Sequence, residues 1–263
     1  MGALRKDNGM NVLKSIHQLL VRSAVVAAVA LYGTSPAEAQ NTAMAADSPK
    51  TNYPGGPGSL DGIWNAAAYT SVRMGRPDDQ PRFVTDEGEP LPLLPWAAKV
   101  VKDRTPPGFN YLDDSLHRCI HRGMPYGVST TVLSPLQIIE APQQKQITVL
   151  FETFTAFRII NMDQNHPPHP TPSYMGNEVG HWEGDTLVVD TIAVSDKTTI
   201  MSVVPHSVNM HLVERIRRTG PDTMEDRMTI DDPATFSKPW SVTERFKKVP
   251  GMRMAEFICE NPE

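Results

Sequence analysis

This chain lacks the short motifs by which most enzyme classes announce themselves. It has no glycine-rich phosphate loop, no dinucleotide fingerprint, no HExxH and no GxSxG. The motif-borne chemistries therefore have no foothold in it. No run of basic residues occurs in the part expected to fold, and the net charge is −5, which argues against a nucleic-acid partner. Aromatic residues are sparse at 7%, whereas the 24 prolines interrupt long helices and exclude an extended helical bundle. Hydrophobic and charged shares of 40% and 21% are those of a chain that folds around a core.

What is present begins with an address. Arg5, Lys6, Lys14 and Arg22 precede the apolar run Ser23–Leu31, and Ala37-Glu38-Ala39 supplies small residues for cleavage. Residues 1–39 thus read as a secretory signal, with Gln40 as the mature start. The apolar run is about half the length of a membrane span. Removing these residues takes four basic and two acidic residues from totals of 25 and 30, leaving a net charge of −7 and no second run long enough to cross a bilayer. The expectation is a periplasmic or secreted protein without a membrane span.

Both cysteines, Cys119 and Cys259, lie beyond the signal. In an oxidising compartment the pair is expected to form a disulfide, worth about 4–5 kcal/mol for so long a loop. A reactive thiol is the alternative.

Residues 40–58 read as a flexible leader and residues 59–263 as a single β-barrel domain. Pro95 suits the first turn of a short helix near 95–102. From Leu136 onward, short β-type runs follow one another across brief turns: Leu136–Glu140, Gln146–Thr153, Ala156–Met162, Glu178–Trp182, Thr186–Val194, Met210–Arg218, Thr223–Asp231, Ser241–Lys248 and Met252–Cys259. With a first strand near Trp64, this predicts an all-β, antiparallel up-and-down barrel of about eight to ten strands, closed so that no edge is left.

Two resemblances attach to particular residues. Gly62-Ile63-Trp64, followed by a meander, resembles the opening G-x-W of lipocalin-type (calycin) barrels. The segment Tyr174–Asp190, with its Gly180-His181-Trp182-Glu183-Gly184-Asp185-Thr186-Leu187-Val188-Val189-Asp190, resembles a group of uncharacterised secreted bacterial proteins. So do His211–Arg215, Thr229–Pro233 with Pro239-Trp240, and Glu256–Glu260. The second resemblance implies relatives and no reaction.

Alternation assigns an apolar face to each late strand, interrupted by one acid: Glu214, Asp226, Glu244 and Glu256. Folding the hairpins about Gly220 and Pro250 matches apolar partners and sets Glu214 against Asp226, and Glu244 against Glu256. Opposed like charges are unfavourable, and burial makes them worse. A shared proton, a bound cation or a basic partner relieves them, with Arg158 and His181 as candidate partners. The cluster is then either an Arg–carboxylate network that holds the barrel together or a site. Four methionines (Met224, Met228, Met252 and Met254) share the expected inner face and suit an apolar ligand. His166 and His169 form only part of a metal site, so neither metal nor cofactor is assigned.

Two functions follow from different classes. One is a barrel that binds a small apolar or aromatic molecule in its interior. The other is a cofactor-independent lyase, isomerase or dehydratase in which Glu214, Asp226, Glu244, Glu256, His181 and Arg158 supply the acid–base chemistry. The sequence does not set the oligomeric state.

Overall fold

The computed structural model describes residues 59–66, 72–73, 82–105, 121, 123–129, 135–200 and 203–258. The expected signal (1–39), the leader (40–58) and the Cys119–Cys259 bridge lie outside these residues.

Nine strands build the barrel, eight along the alternating runs read from Leu136 onward and one at the expected Trp64; Val72–Arg73 and Arg82–Phe83 pair in a small sheet of their own. The nine are β1 (Gly62–Ala66), β2 (Leu136–Ala141), β3 (Gln146–Phe151), β4 (Ala156–Met162), β5 (Asn177–Glu183), β6 (Thr186–Ile192), β7 (His211–Gly220), β8 (Thr223–Asp231) and β9 (Trp240–Lys248). They close into a barrel in the order β1-β9-β8-β7-β6-β5-β4-β3-β2. The inward residues are apolar for most of the wall: Ile147, Val149 and Phe151 on β3, Leu187 and Val189 on β6, and Met224 and Met228 on β8 are all buried. The longest helix among the described residues, α1 (Pro95–Arg104), starts at the expected proline. It docks through Trp96, whose Nε1 donates to the carbonyl of Ala234 at 2.9 Å.

Two features depart from the expected meander. Strands β4 and β5 pair in parallel, because the segment 163–176 carries the chain back to the end where β4 began. A parallel pair needs such a crossover, whereas an antiparallel pair needs only a turn. Gly180 lets the two strands approach, since a Cβ there would lie 2.7 Å from Ile160 Cγ2.

The second departure concerns Met252–Cys259, which was expected to be the last strand. Its described part, residues 252–258, is irregular and largely exposed. The far edge of β9 is taken instead by β1, with Ala66 opposite Phe246 and Trp64 opposite Lys248. The physical reason lies in side-chain character. Strand β1 brings the apolar Trp64 and Ala66 inward, whereas 252–259 would have buried Glu256 beside Glu244. Trp64 is fully buried and donates from Nε1 to the carbonyl of Leu60 at 2.8 Å. The cations of Arg218 and Lys248 lie 5.7 and 5.5 Å from its ring centre.

The register of β7 with β8 also differs from a simple fold about Gly220. The turn falls at Pro221-Asp222 and a one-residue bulge follows at Thr223, which together leave the pairing two residues from that expected, so Leu212 faces Ile230, and Met228 faces Glu214. A shift of two preserves which face each residue occupies. The inward acids therefore stay inward, but Glu214 and Asp226 are diagonal neighbours rather than opposite ones.

Candidate functional site

Alternation on five strands turns one cation and four acids into the barrel. Arg158 (β4), Glu178 (β5), Glu214 (β7), Asp226 (β8) and Glu244 (β9) are each at most 3% exposed. Arg158 spans two strands with its guanidinium. Its Nη1 and Nη2 donate to Oε1 and Oε2 of Glu214 at 2.8 and 2.6 Å, and Nε donates to Glu178 Oε2 at 2.7 Å. Paired donors in this fork geometry make strong, directional bonds. Burial alone disfavours the charged guanidinium, but Glu178 and Glu214 outweigh it and raise its pKa.

One guanidinium does not neutralise this many acids. Burial pushes the Glu178 carboxyl up to about 7, with Arg158 opposing and the charge of Glu214 adding to the rise. Asp226 is driven well above the ordinary carboxylate range, first by burial and then by the charge of Glu214; Glu244 also contributes, while Arg158 opposes. The raised carboxyl of Asp226 shares a hydrogen bond with Glu214, which adds to the rise. Two oxygens of the cluster, Glu178 Oε1 and Asp226 Oδ1, have no hydrogen-bond partner among the described residues. Buried acceptors of this kind are uncommon and call for an explanation.

The cluster is covered by chain from outside the strands. Met124, fully buried, sits with Sδ 3.6 Å from Arg158 Nη1. Beside it His121 stacks on Phe151 with ring centres 5.3 Å apart and accepts the Gly123 N–H at Nδ1. Burial lowers the His121 pKa to about 4, so this ring is neutral. A hollow of about 240 Å³ lies elsewhere, on the outer wall, bounded by Thr85, Glu87, Glu89, Lys238 and Ser241.

Of the residues expected to form the site, the structure brings together Arg158, Glu214, Asp226 and Glu244. The acid pair directly opposed across strands is Asp226 and Glu244. Glu256 is a correction: it is exposed in the irregular tail and meets none of these acids. His181 is another. It lies on the outer face of β5, half-exposed, with Nε2 3.2 Å from Glu183 Oε1, so it cannot be the internal base. Of the four methionines, Met224 and Met228 are buried, while Met252 is exposed. Glu178 was missed, although its strand was recognised; the alternation Glu178, Gly180, Trp182 marks it as inward. Met124 had no signal, since it comes from a proline- and glycine-rich loop with no period.

Near the end of the barrel, His206 bonds Thr198 at 2.7 Å and Ser207 donates to Asp232 at 2.8 Å, so their side chains form no serine–histidine pair. His166 reaches the outer wall, while His169 is exposed. Among the described residues no group of histidine, cysteine and acidic side chains is placed to hold a metal.

What the arrangement offers chemically is a carboxyl whose pKa is raised well above the ordinary range, a second carboxyl forked onto arginine, and two unpartnered acceptor oxygens within an apolar shell. Comparison with known proteins adds no relative to this picture: no family model, curated protein or solved structure matches the chain.

Proposed function

We propose that this is an exported binding protein whose barrel holds a small apolar or aromatic molecule, oriented by a hydrogen-bond donor on that molecule. The observation that carries the reading is the pair of unpartnered acceptors, Glu178 Oε1 and Asp226 Oδ1, set among Met124, Met224, Met228 and Phe246. A purely apolar ligand gains nothing from these oxygens, whereas a hydroxyl or amine satisfies one of them. Export is supported by the signal pattern of residues 1–39 and by the resemblance of Tyr174–Asp190 to secreted proteins. N-terminal sequencing of exported protein should begin at Gln40. Thiol titration of the denatured, unreduced protein should find Cys119 and Cys259 bridged.

The binding test compares small phenols and aliphatic alcohols with their methyl ethers, followed by intrinsic tryptophan fluorescence. Hydroxyl-bearing probes should bind saturably and the matching ethers more weakly. Equal binding of the two series removes the role of the acceptors, and no saturable binding by any probe ends the reading.

A second reading is supported by the opposed titrations inside one cluster. Asp226 raised well above the ordinary carboxylate range, beside an Arg-held Glu214 and with Glu178 at about 7, is the kind of contrast between neighbouring carboxyls that proton-transfer enzymes use. On that reading a lyase, isomerase or dehydratase would lose turnover in both Asp226→Asn and Glu178→Gln, while still binding its substrate.

A further inference from the structure

The crossover 163–176 is fastened near both ends. Toward its start, His166 meets the outer wall, with Nδ1 2.6 Å from Asn177 Oδ1 and Nε2 3.0 Å from Asp190 Oδ1. His211 Nε2 lies 2.8 Å from the other oxygen of the same carboxylate. Asn177, Asp190 and His211 stand on the adjacent strands β5, β6 and β7. Toward its other end, Ser173 bridges to Val194, and the carbonyl of Tyr174 accepts the Met124 N–H at 3.0 Å. Gly123 permits that approach, since a Cβ there would lie 2.0 Å from the Tyr174 oxygen. Met124 in turn touches Arg158. A chain of direct contacts therefore runs from the outer histidines, along the crossover, to the cover of the buried cluster.

The chemistry of the outer contact depends on protons. Both ring nitrogens of His166 face oxygens, Asn177 Oδ1 and Asp190 Oδ1, so the contact answers to the charge on Asp190 and on its other partner, His211. The hydrogen bond to Asp190 raises the His211 pKa against the effect of burial, and the charge of Asp231, its register partner, adds to this. The Asp190 pKa is lowered, first by His211 and, against burial, by His166. The remaining titratable and charged groups on the outer faces of the flanking elements are His181 and Glu183 on β5, Arg215 and Arg217 on β7, and Asp163 and His169 in the loop; Arg217 pairs with Glu225. Arg215 and His181 both engage Glu183, which leaves Asp190 to the two rings.

We propose that the crossover 163–176 is a pH-latched strap, closed by the His166–Asp190–His211 contact in mildly acidic surroundings and loosened as pH rises through the histidine range. The signs follow from linkage. The lowered Asp190 contributes above its ordinary value of about 4, and that part is lost as pH falls through its lowered one. The raised His211 contributes fully below about 6.5 and is lost as pH rises through its raised value. The latch is therefore tightest between about pH 4 and 6.5.

Hydrogen exchange read by mass spectrometry tests this without any ligand, so its outcome is independent of the binding reading. Rates are normalised to those of unfolded peptides at each pH. In the wild type, protection of peptides covering 163–176 and 123–129 should fall several-fold between pH 5.5 and 8.5, while β6–β8 stay protected. His166→Gln and Asp190→Asn should each abolish that fall. Protection in β6–β8 reports within the same data whether a variant has kept its barrel, and either variant alone suffices. A wild-type strap with pH-independent protection overturns the proposal, as does a fall that survives in a folded variant.

Discussion

Asp226 and Glu244 stand directly opposite each other across β8 and β9, and both are buried inside the barrel. Burial first, then the charge of Glu214, and last that of Glu244 hold the Asp226 pKa well above the ordinary carboxylate range. A group whose folded pKa is raised costs stability when forced to ionise, and the cost fades as pH falls through that pKa. Asp226→Asn supplies a neutral side chain of the same shape, so stability at pH 7 should be unchanged or improved. Urea denaturation measures this, and a clear loss would show that the carboxylate form is the one the fold needs.

Glu178 predicts a pH slope with a defined window. Its carboxyl is raised to about 7 in the folded protein, against about 4.3 in an unfolded chain. The unfolded state therefore releases this proton first, and stability falls as pH rises from about 4.3 to 7. Glu178→Gln should flatten that part of the profile. Denaturation midpoints at pH 5, 6 and 7 check it; an unchanged slope in the variant assigns the dependence to other groups.

Removing Arg158 strands the carboxylates it serves. Arg158→Met should cost about 3–5 kcal/mol, the range for breaking a buried pair by deleting one partner. Adding Glu214→Gln to that variant should recover part of the loss. A cost below about 1 kcal/mol, the level of an exposed pair, would contradict a buried network.

The parallel seam makes its own prediction. Gly180→Ala places a methyl 2.7 Å from Ile160 Cγ2 and 3.0 Å from Met162 Sδ, and overpacking of this kind costs about 1–3 kcal/mol. Thermal unfolding of the variant would reveal it.

Glu256→Gln is the counter-test of the site. The side chain is exposed in the irregular tail, so stability should stay within about 0.5 kcal/mol of wild type. A change of the size expected for Arg158→Met would return Glu256 to the interior.

Alternation with a period of two, broken by turn residues, was enough to foresee eight of these strands, with the ninth expected at Trp64 and the short helix at Pro95, because each depends on neighbours in the chain. It also showed that Glu214, Asp226 and Glu244 face inward, since a register slip of two leaves faces unchanged. Which acids oppose one another was not legible. That depends on the bulge beside Thr223 and on the competition between β1 and the tail for the edge of β9, decided by burying Trp64 rather than Glu256. Nor could the sequence show that Arg158, far along the chain from Glu214, would close a fork with it, or that His166 would share a carboxylate with His211. Those partnerships arise only when barrel closure brings strands together across long loops, and no local pattern records them.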